Sequence, residues 1–469
     1  MEGGKDAASP RYIFTYLCPI SRSIFPKEDD DILNYLTDDG QQVEPEFYIP
    51  VLPMVLINGS YGVGTGFSSN IPTYNPRAIV DNLKLLLNKG KPIDMIPWFN
   101  GFTGKIKKTG PYTYTVWGRL ERINDTTIRI TELPIKFWTS KHKAILQDML
   151  DEKEIKELRE HHTDETVSFT IVMTEEQMKK AEENGLYKTF KLITTIATSN
   201  MVLFDANGKL KKYDSTIEIL KEFYEVRFKY YKLRKEALIK QLTKEVDILK
   251  NKVKFILAVR NDTFDINATN ELMLKQLIKD QYTRYPKVKK HKVAGEDIEE
   301  DHESESDIED DDESKGAVLR DYHYLIGMPI NTIGHKLATK FQSEYSIKEK
   351  ELELVKNTSI KTTWTKELDH FLIALDEHEE MTKELAAATE ARILIEQKKN
   401  KIKPPPKVKL PKGIYIKPPI VEFSVPKPKT IVNKKRKDAW LQGIPANKKQ
   451  KTNSNDSSSS SEEEDSSMD

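Results

Sequence analysis

Cysteine is almost absent: Cys18 is the only one in 469 residues. No intrachain disulfide and no thiolate-rich zinc site can be built from one thiol, which fits a reducing compartment, and Cys18 is expected to be a packing residue. Long apolar runs are absent as well. None reaches the roughly 18 to 20 residues that span a bilayer, and the opening "MEGGKDAASPRY" has no apolar signal core, so a soluble intracellular protein with no membrane partner is expected. Net charge is missing too, with 74 basic against 74 acidic residues. That zero averages over a segregated chain, in which acid collects in two blocks and base collects elsewhere, so it does not exclude a polyanionic partner.

The chain is too long for one hydrophobic core, and several domains are expected. From residue 1 to about 210, apolar stretches such as "YIPVLPMVLI", "TYTVWGRLERI" and "TIRITELPI" alternate with turn-like "NGSYGVGTG", "NKGKP" and "KKTGP". Strands and short helices are therefore mixed, an α+β pattern. "YNPRAIVDNLKLLLNKG" reads as a helix opened by Asn75-Pro76, with Ile79, Leu83, Leu86 and Leu87 as its stripe and Gly90 after its end.

From about 214 to 259 one long helix is predicted, because the stretch has no glycine or proline. Leu242, Val246, Leu249, Val253 and Ile256 recur in steps of four and three, as a coiled-coil seam does. A second helical stretch is predicted from Ser346 to about Lys399, with Trp364, Leu368, Phe371, Leu372 and Leu375 on one stripe. Together they predict an antiparallel arm with a small knob at its far end. Between them "GEDIEEDHESESDIEDDDESKG" is too acidic and too poor in apolar residues to fold, and defines a disordered insertion at 293–316. After about residue 391 the chain turns rich in proline, lysine and serine and predicts an extended tail without a core.

Several residues invite chemistry. In "SPRYIFTYL" the Arg11-Tyr12 pair is compatible with a half-buried strand edge or with a nucleophile beside its electrostatic helper. "NGSYGVGTG" is glycine-rich but lacks both the Gly-Lys-Ser/Thr ending of a phosphate loop and the GxGxxG spacing, so close backbone approach to another surface is the better reading. His161-His162 with Asp164 and Glu165 resembles a ligand cluster, but no further ligand follows at a readable spacing, and no metal site is assigned. Arg227, Lys229, Lys232, Arg234 and Lys235 form a basic stretch, either a solvated face or a contact to a phosphate backbone. Lys434, Lys435, Arg436 and Lys437, with Lys448, Lys449 and Lys451, suit a nuclear signal or a loose DNA-binding arm. Ser457 to Ser461, just before Glu462, suit an acid-directed kinase whose phosphates would oppose that arm.

"GGKDAASPRYIFTYL", "VEPEFYIPVLPMVLINGSYGVGTGFSSNIPTYNPRAIVDNL", "ITELPIKFWTSKHK", "HHTDETVSFTIVMTEEQM" and "FKLITTIATSNMVLFDANGKLKKYDS" run in one order that resembles the DNA breakage and reunion region of eukaryotic type II DNA topoisomerases. "DYHYLIGMPINTI" resembles the segment carrying that family's C-terminal dimer gate, and the likeness covers roughly residues 3 to 380. The resemblance implies a winged-helix remnant over 1–50, a tower and DNA-gate domain over 51–212, a coiled-coil arm with a helical dimer gate over 213–390, and the tail over 391–469.

It further implies that Tyr12 is the nucleophile that forms a 5′-phosphotyrosyl link, with Arg11 as its charged neighbour and Lys5 as a DNA contact. A tyrosine ester stores the energy of the broken phosphodiester, and a phenol of ordinary pKa, about 10, needs a base or cation nearby. Val63, between Gly62 and Gly64, corresponds to the family's apolar wedge, which enters a base step and bends the duplex. The chain departs from the family at Ser60-Tyr61, where a small residue and an acid are usual, and at Phe67, where tryptophan is usual.

Duplex DNA, dimerisation with itself or with a full-length type II topoisomerase, and nuclear work in chromosome segregation follow from the resemblance. Magnesium and ATP are implied for the complete enzyme. The ATPase and the acidic metal module find no counterpart in the eleven residues before Tyr12, so neither cofactor is expected to bind this chain alone. A non-catalytic truncated paralogue, with a DNA-binding or topoisomerase-binding role, is the alternative reading.

Overall fold

A computed structural model describes residues 8–39, 41–64, 66–163, 166–266, 268–285, 319–328, 335–399 and 411–419, all within one unit, Met1–Phe423. The acidic insertion at 293–316 and the basic run Lys434 to Lys437 lie outside the described residues. Among the described residues no helix is long and apolar enough to cross a membrane.

The base of the molecule forms around the helix Pro76–Leu87. Asn75 caps it by accepting the Arg77 N–H at 2.9 Å, and Pro76 occupies a first-turn position that needs no N–H. Its stripe of Ile79, Val80, Leu83 and Leu87 is buried against Val51, Leu52 and Leu56 from "PVLPMVLI" and against Trp364, Leu368 and Phe371 from far along the chain. Trp364 also donates its indole N–H to the Val51 carbonyl at 3.0 Å, so its polar edge is satisfied inside the core.

Next come two antiparallel sheets. One orders Ile193–Ala197, Thr113–Trp117 and Lys105–Lys108; the other orders Ile414–Tyr415, Arg119–Asn124, Thr127–Glu132, Phe169–Val172 and Glu157–Glu160. In "TIRITE" Ile128 and Ile130 point into a core shared with Leu146, Phe169 and Ile171, as strict alternation predicts. The outer edge of this larger sheet is a correction to the coreless tail: residues 411–419 return to the fold. Ile414 and Tyr415 pair with Arg122 and Glu121, the Ile416 N–H reaches the Leu120 carbonyl at 3.0 Å, and the Tyr187 hydroxyl donates to the Ile416 carbonyl at 2.6 Å. Backbone pairing at an open sheet edge needs little apolar composition, which is why a proline- and lysine-rich segment can still be held. Residues 391–399 likewise belong to a helix rather than to a tail.

The long helix runs Thr216–Arg260, capped by Ser215, and at 1.5 Å per residue is about 68 Å long. Its Leu242 and Ile256 are buried and Val246, Leu249 and Val253 half-buried. The partner is the helix His335–Asn357, and the pair is antiparallel: Lys235 meets the carbonyls of Lys356 and Thr358, Glu245 meets Lys348, and Lys252 lies over the Phe341 ring. The knob at the far end gathers Phe255, Phe264, Met273, Leu277, Tyr282, Tyr322 and Leu325. The single second helix expected from Ser346 to Lys399 is corrected to two. It breaks after Asn357, and Ser359 caps a new helix, Ile360–Lys399, by accepting the Thr362 N–H at 3.1 Å. That helix leaves the arm, and its Trp364 stripe packs into the base instead.

One buried residue makes stability depend on pH. His142 is fully buried edge-on between Phe137 and Phe169, neither ring nitrogen has a hydrogen-bond partner, and burial lowers its pKa from 6.5 to about 4. A neutral folded imidazole faces an unfolded chain that takes up a proton below 6.5, so this contribution is present above that pH and fades as pH falls toward 4. Full loss amounts to roughly 3 kcal/mol. His142→Phe is expected to flatten the acid side of the stability profile, read by denaturant unfolding between pH 6.5 and 4; parallel profiles for the two proteins would refute it.

Candidate nucleic-acid interface

The strand reading of "RYIFTYL" is corrected. Pro10–Tyr12 form one 3₁₀ turn, closed by the Tyr12 N–H to the Ser9 carbonyl at 3.0 Å, and residues 13–18 are in no strand. Tyr12 is 70% exposed and the Arg11 guanidinium carbon stands 5.0 Å from its ring centroid. Ile13, Phe14, Tyr16 and Leu17 are exposed beside it. The segment is tied down only afterwards, where Ile20 and Ile24 pack on the base and Cys18 Sγ lies 3.5 Å from His378 Nδ1, a half-buried packing position. A phenolic hydroxyl free in solvent, next to an exposed cation, is able to meet an incoming phosphate.

The glycine-rich loop is a β-hairpin, Ser60–Gly64 with Phe67–Ile71. Its root is fixed: Gly59 has φ +70° and a Cβ there would lie 2.8 Å from the Ile71 carbonyl, so only glycine fits. Asn70 N–H and Asn200 Nδ2 stitch the second strand to the neighbouring chain through the Asn200 and Ser68 carbonyls, at 2.8 and 3.0 Å. The tip is open. Val63 is 81% exposed, not a buried loop-edge valine, and added Cβ atoms at Gly62 and Gly64 would touch nothing. Nothing within the molecule therefore requires glycine at these two positions. Tyr12 does not line the groove formed at this hairpin, so the structure keeps the two expected elements on separate segments. Lys5 lies outside the described residues.

The basic stretch is corrected most strongly. Arg227 is fully buried, with its guanidinium 2.7 Å from Asp29 Oδ2, donating to the Ile49 carbonyl at 3.2 Å and lying 4.2 Å over the Tyr231 ring. Arg234 is buried against Glu367 at 2.8 Å, and Lys235 caps the end of the returning helix. Only Lys229 and Lys232 keep exposed side chains. The pair His161-His162 also proves structural at its second member: His162 packs 4.4 Å from the Phe169 ring and its Nδ1 accepts the Ser168 N–H at 3.0 Å, while burial lowers its pKa. Asp164 and Glu165 lie outside the described residues. Among the described residues no three His, Cys, Asp or Glu side chains converge to hold a metal ion.

One feature has no signal in the sequence. Lys136 projects its ammonium 3.7 Å from the Tyr61 ring centroid and 3.3 Å from Asn70 Oδ1. Lys136 and Tyr61 are far apart in sequence, and no local pattern links them.

A family model for DNA gyrase/topoisomerase IV, the DNA-cleaving polypeptide of those enzymes, matches residues 1–369. DNA topoisomerase 2 of Plasmodium falciparum (isolate K1 / Thailand) is 41% identical over 375 residues, covering 78% of this chain and 27% of that protein. DNA topoisomerase 2-alpha of Homo sapiens is 41% identical over 387 residues, covering 80% and 25%. The crystal structure of the Plasmodium falciparum topoisomerase II DNA-binding, cleavage and re-ligation domain superposes with a TM-score of 0.69 at 40% identity, covering 82% of this chain and 52% of that one. The chain thus spans about a quarter of the length of these curated relatives. With the fold and more than half of its length matched, the chain belongs to the DNA gyrase/topoisomerase IV family, and its likeness is to the C-terminal DNA-cleavage region of eukaryotic type II topoisomerases.

Proposed function

We propose that this chain forms one half of a DNA gate and that Tyr12 cleaves one strand of duplex DNA. The observation that carries the reading is the presentation of Tyr12: an exposed phenol on a fixed 3₁₀ turn, with Arg11 against its ring. The phenolic oxygen attacks the phosphorus and forms an O–P bond as the P–O3′ bond breaks. The phenol gives up its proton, and the departing 3′ oxygen takes one up. The 5′ phosphate remains on the tyrosine, and attack by the 3′ hydroxyl reverses the step without external energy. Arg11 turns from the ring to the phosphate oxygens as their charge grows.

Val63 enters a base step, while Gly62 and Gly64 leave room for the DNA backbone, in keeping with added Cβ atoms meeting nothing there. Lys5 is proposed as a further DNA contact, and Lys434, Lys435, Arg436 and Lys437 as a nuclear signal. The same reading divides the chain into a tyrosine segment (1–50), a tower (51–212), an arm and dimer gate (213–390) and a tail (391–469), and places it on chromosomes during segregation. Dimerisation runs through the knob of the arm, with a second copy or with a full-length relative. Magnesium and ATP belong to modules of the complete enzyme; the donor set described above holds no metal, and no step here is routed through one.

The test uses supercoiled DNA and magnesium, with and without a full-length type II topoisomerase whose own tyrosine is changed to Phe. Denaturation after incubation should reveal DNA covalently joined to this chain when the partner is present. DNA binding with no linkage under any condition would overturn the nucleophile role and leave the non-catalytic reading. Failure of the chain either to self-associate or to be captured by the partner in the same mixtures removes the dimer gate.

A further inference from the structure

Alternation along the hairpin puts Tyr61 and Val63 on one face, and their cross-strand partners Asn70 and Ser68 stand on the same face. Tyr61 is 77% exposed, although its ring is large enough to bury with profit. What holds it is Lys136, whose ammonium lies 3.7 Å from the ring centroid and 3.3 Å from Asn70 Oδ1. This lysine has an unusual backbone, φ +65°, a left-handed conformation that costs a side-chain-bearing residue of order 1 kcal/mol. Its ammonium is partly stripped of water, and burial alone accounts for its lowered pKa, with no carboxylate among the described residues acting on it. A strained, partly desolvated cation held on an exposed aromatic ring is costly unless something anionic completes it.

The spacing suits the same occupant. Residues two apart on a strand are about 6.7 Å apart along its axis, close to two 3.4 Å rises of a DNA strand. An apolar side chain at Val63 and a cation–aromatic pair at Tyr61 thus lie one or two nucleotides apart on a single face.

We infer that Tyr61 and Lys136 form a DNA-backbone contact beside the wedge, the ammonium taking a phosphate that flanks the step entered by Val63 and the Tyr61 ring lying against the adjoining sugar. This deepens the proposed function and rests on Val63 being the wedge. Tyr61 serves as a positioning residue: it keeps the Lys136 ammonium aimed at the groove, and Asn70 restricts it from the other side.

The experiment measures binding of the full chain to a dye-labelled duplex oligonucleotide as a function of salt, together with its bend by energy transfer. Lys136→Gln is expected to reduce the slope of log affinity against log salt by about one phosphate contact, that is, to weaken binding about eightfold at 0.1 M salt and converge on the parent at 1 M. Lys136→Arg should restore the slope, and Tyr61→Ala should lower it only while Lys136 is present. Val63→Ala should reduce the bend and leave the slope unchanged.

An unchanged slope in Lys136→Gln overturns the backbone contact even if Val63→Ala reduces the bend, in which case the wedge survives. A reduced slope with a bend indifferent to Val63 keeps the contact as a DNA site and removes the wedge. Equal thermal stability of all variants, expected for exposed positions, separates these readings from misfolding.

Discussion

Tyr12→Phe is expected to abolish covalent attachment of DNA to this chain while leaving its fold and its non-covalent DNA binding intact. The substitution removes one oxygen from a ring that is 70% exposed and whose hydroxyl makes no hydrogen bond to another described residue. Stability should therefore change by no more than about 0.5 kcal/mol. The chemistry, by contrast, has no second nucleophile of the same kind on this turn, and losing a nucleophile outright typically costs many orders of magnitude. Arg11→Gln tests the helper separately: linkage should slow by about 10² to 10³, the effect of removing one preorganised charge from a developing anion. Quantifying the denaturant-resistant DNA adduct over time, with a complementing partner present, reads both variants. Linkage that persists in Tyr12→Phe would refute the assignment of the nucleophile.

Asp29→Ala is expected to destabilise the base by about 3 to 5 kcal/mol, the usual result of leaving one member of a buried ion pair without the other. Arg227 is fully buried and its closest counter-ion is Asp29 at 2.7 Å; the next carboxylate, Glu367, lies at 3.8 Å from it and is already engaged by Arg234 at 2.8 Å and by the Tyr231 hydroxyl at 2.6 Å. Removal of Asp29 thus leaves a guanidinium in the core with its nearest counter-charge gone. Removing both partners is a different case. Asp29→Leu combined with Arg227→Met replaces the pair by apolar volume, and much of the lost stability should return. Denaturant unfolding of the single and double variants measures the coupling; additive losses would show that the two charges do not answer each other. Asp29 sits in the short 3₁₀ helix Lys27–Ile32, Arg227 in the long helix and Glu367 in the helix Ile360–Lys399, so this cluster fastens the tyrosine-bearing end to the root of the arm.

The parts that were legible in the sequence are those governed by neighbours along the chain. Asn75-Pro76 announced a helix because capping and the first-turn proline act over three residues. The 45-residue helix was legible because an uninterrupted run without glycine or proline has no local reason to stop. The break before Ile360 was harder: no glycine or proline marks it, and its one local signal is the adjacent Thr358-Ser359, of which Ser359 acts as the cap.

Tyr12, Arg11 and Val63 were legible only through long motifs resembling a family, since each alone is an ordinary aromatic, basic or apolar residue. Other features depended on residues that meet only in space. Five basic residues in one stretch look alike in sequence, yet Arg227 and Arg234 are buried because Asp29 and Glu367 arrive from opposite ends of the chain, whereas Lys229 and Lys232 stay in water. Ile414 and Tyr415 became a strand because Arg119–Asn124 presented an unpaired edge. Lys136 found Tyr61 for the same reason. Local propensity and periodicity set the elements; which charges are buried, which tail segment is held and which aromatic ring carries a cation were decided by packing, because those energies exist only once distant segments exclude water between them.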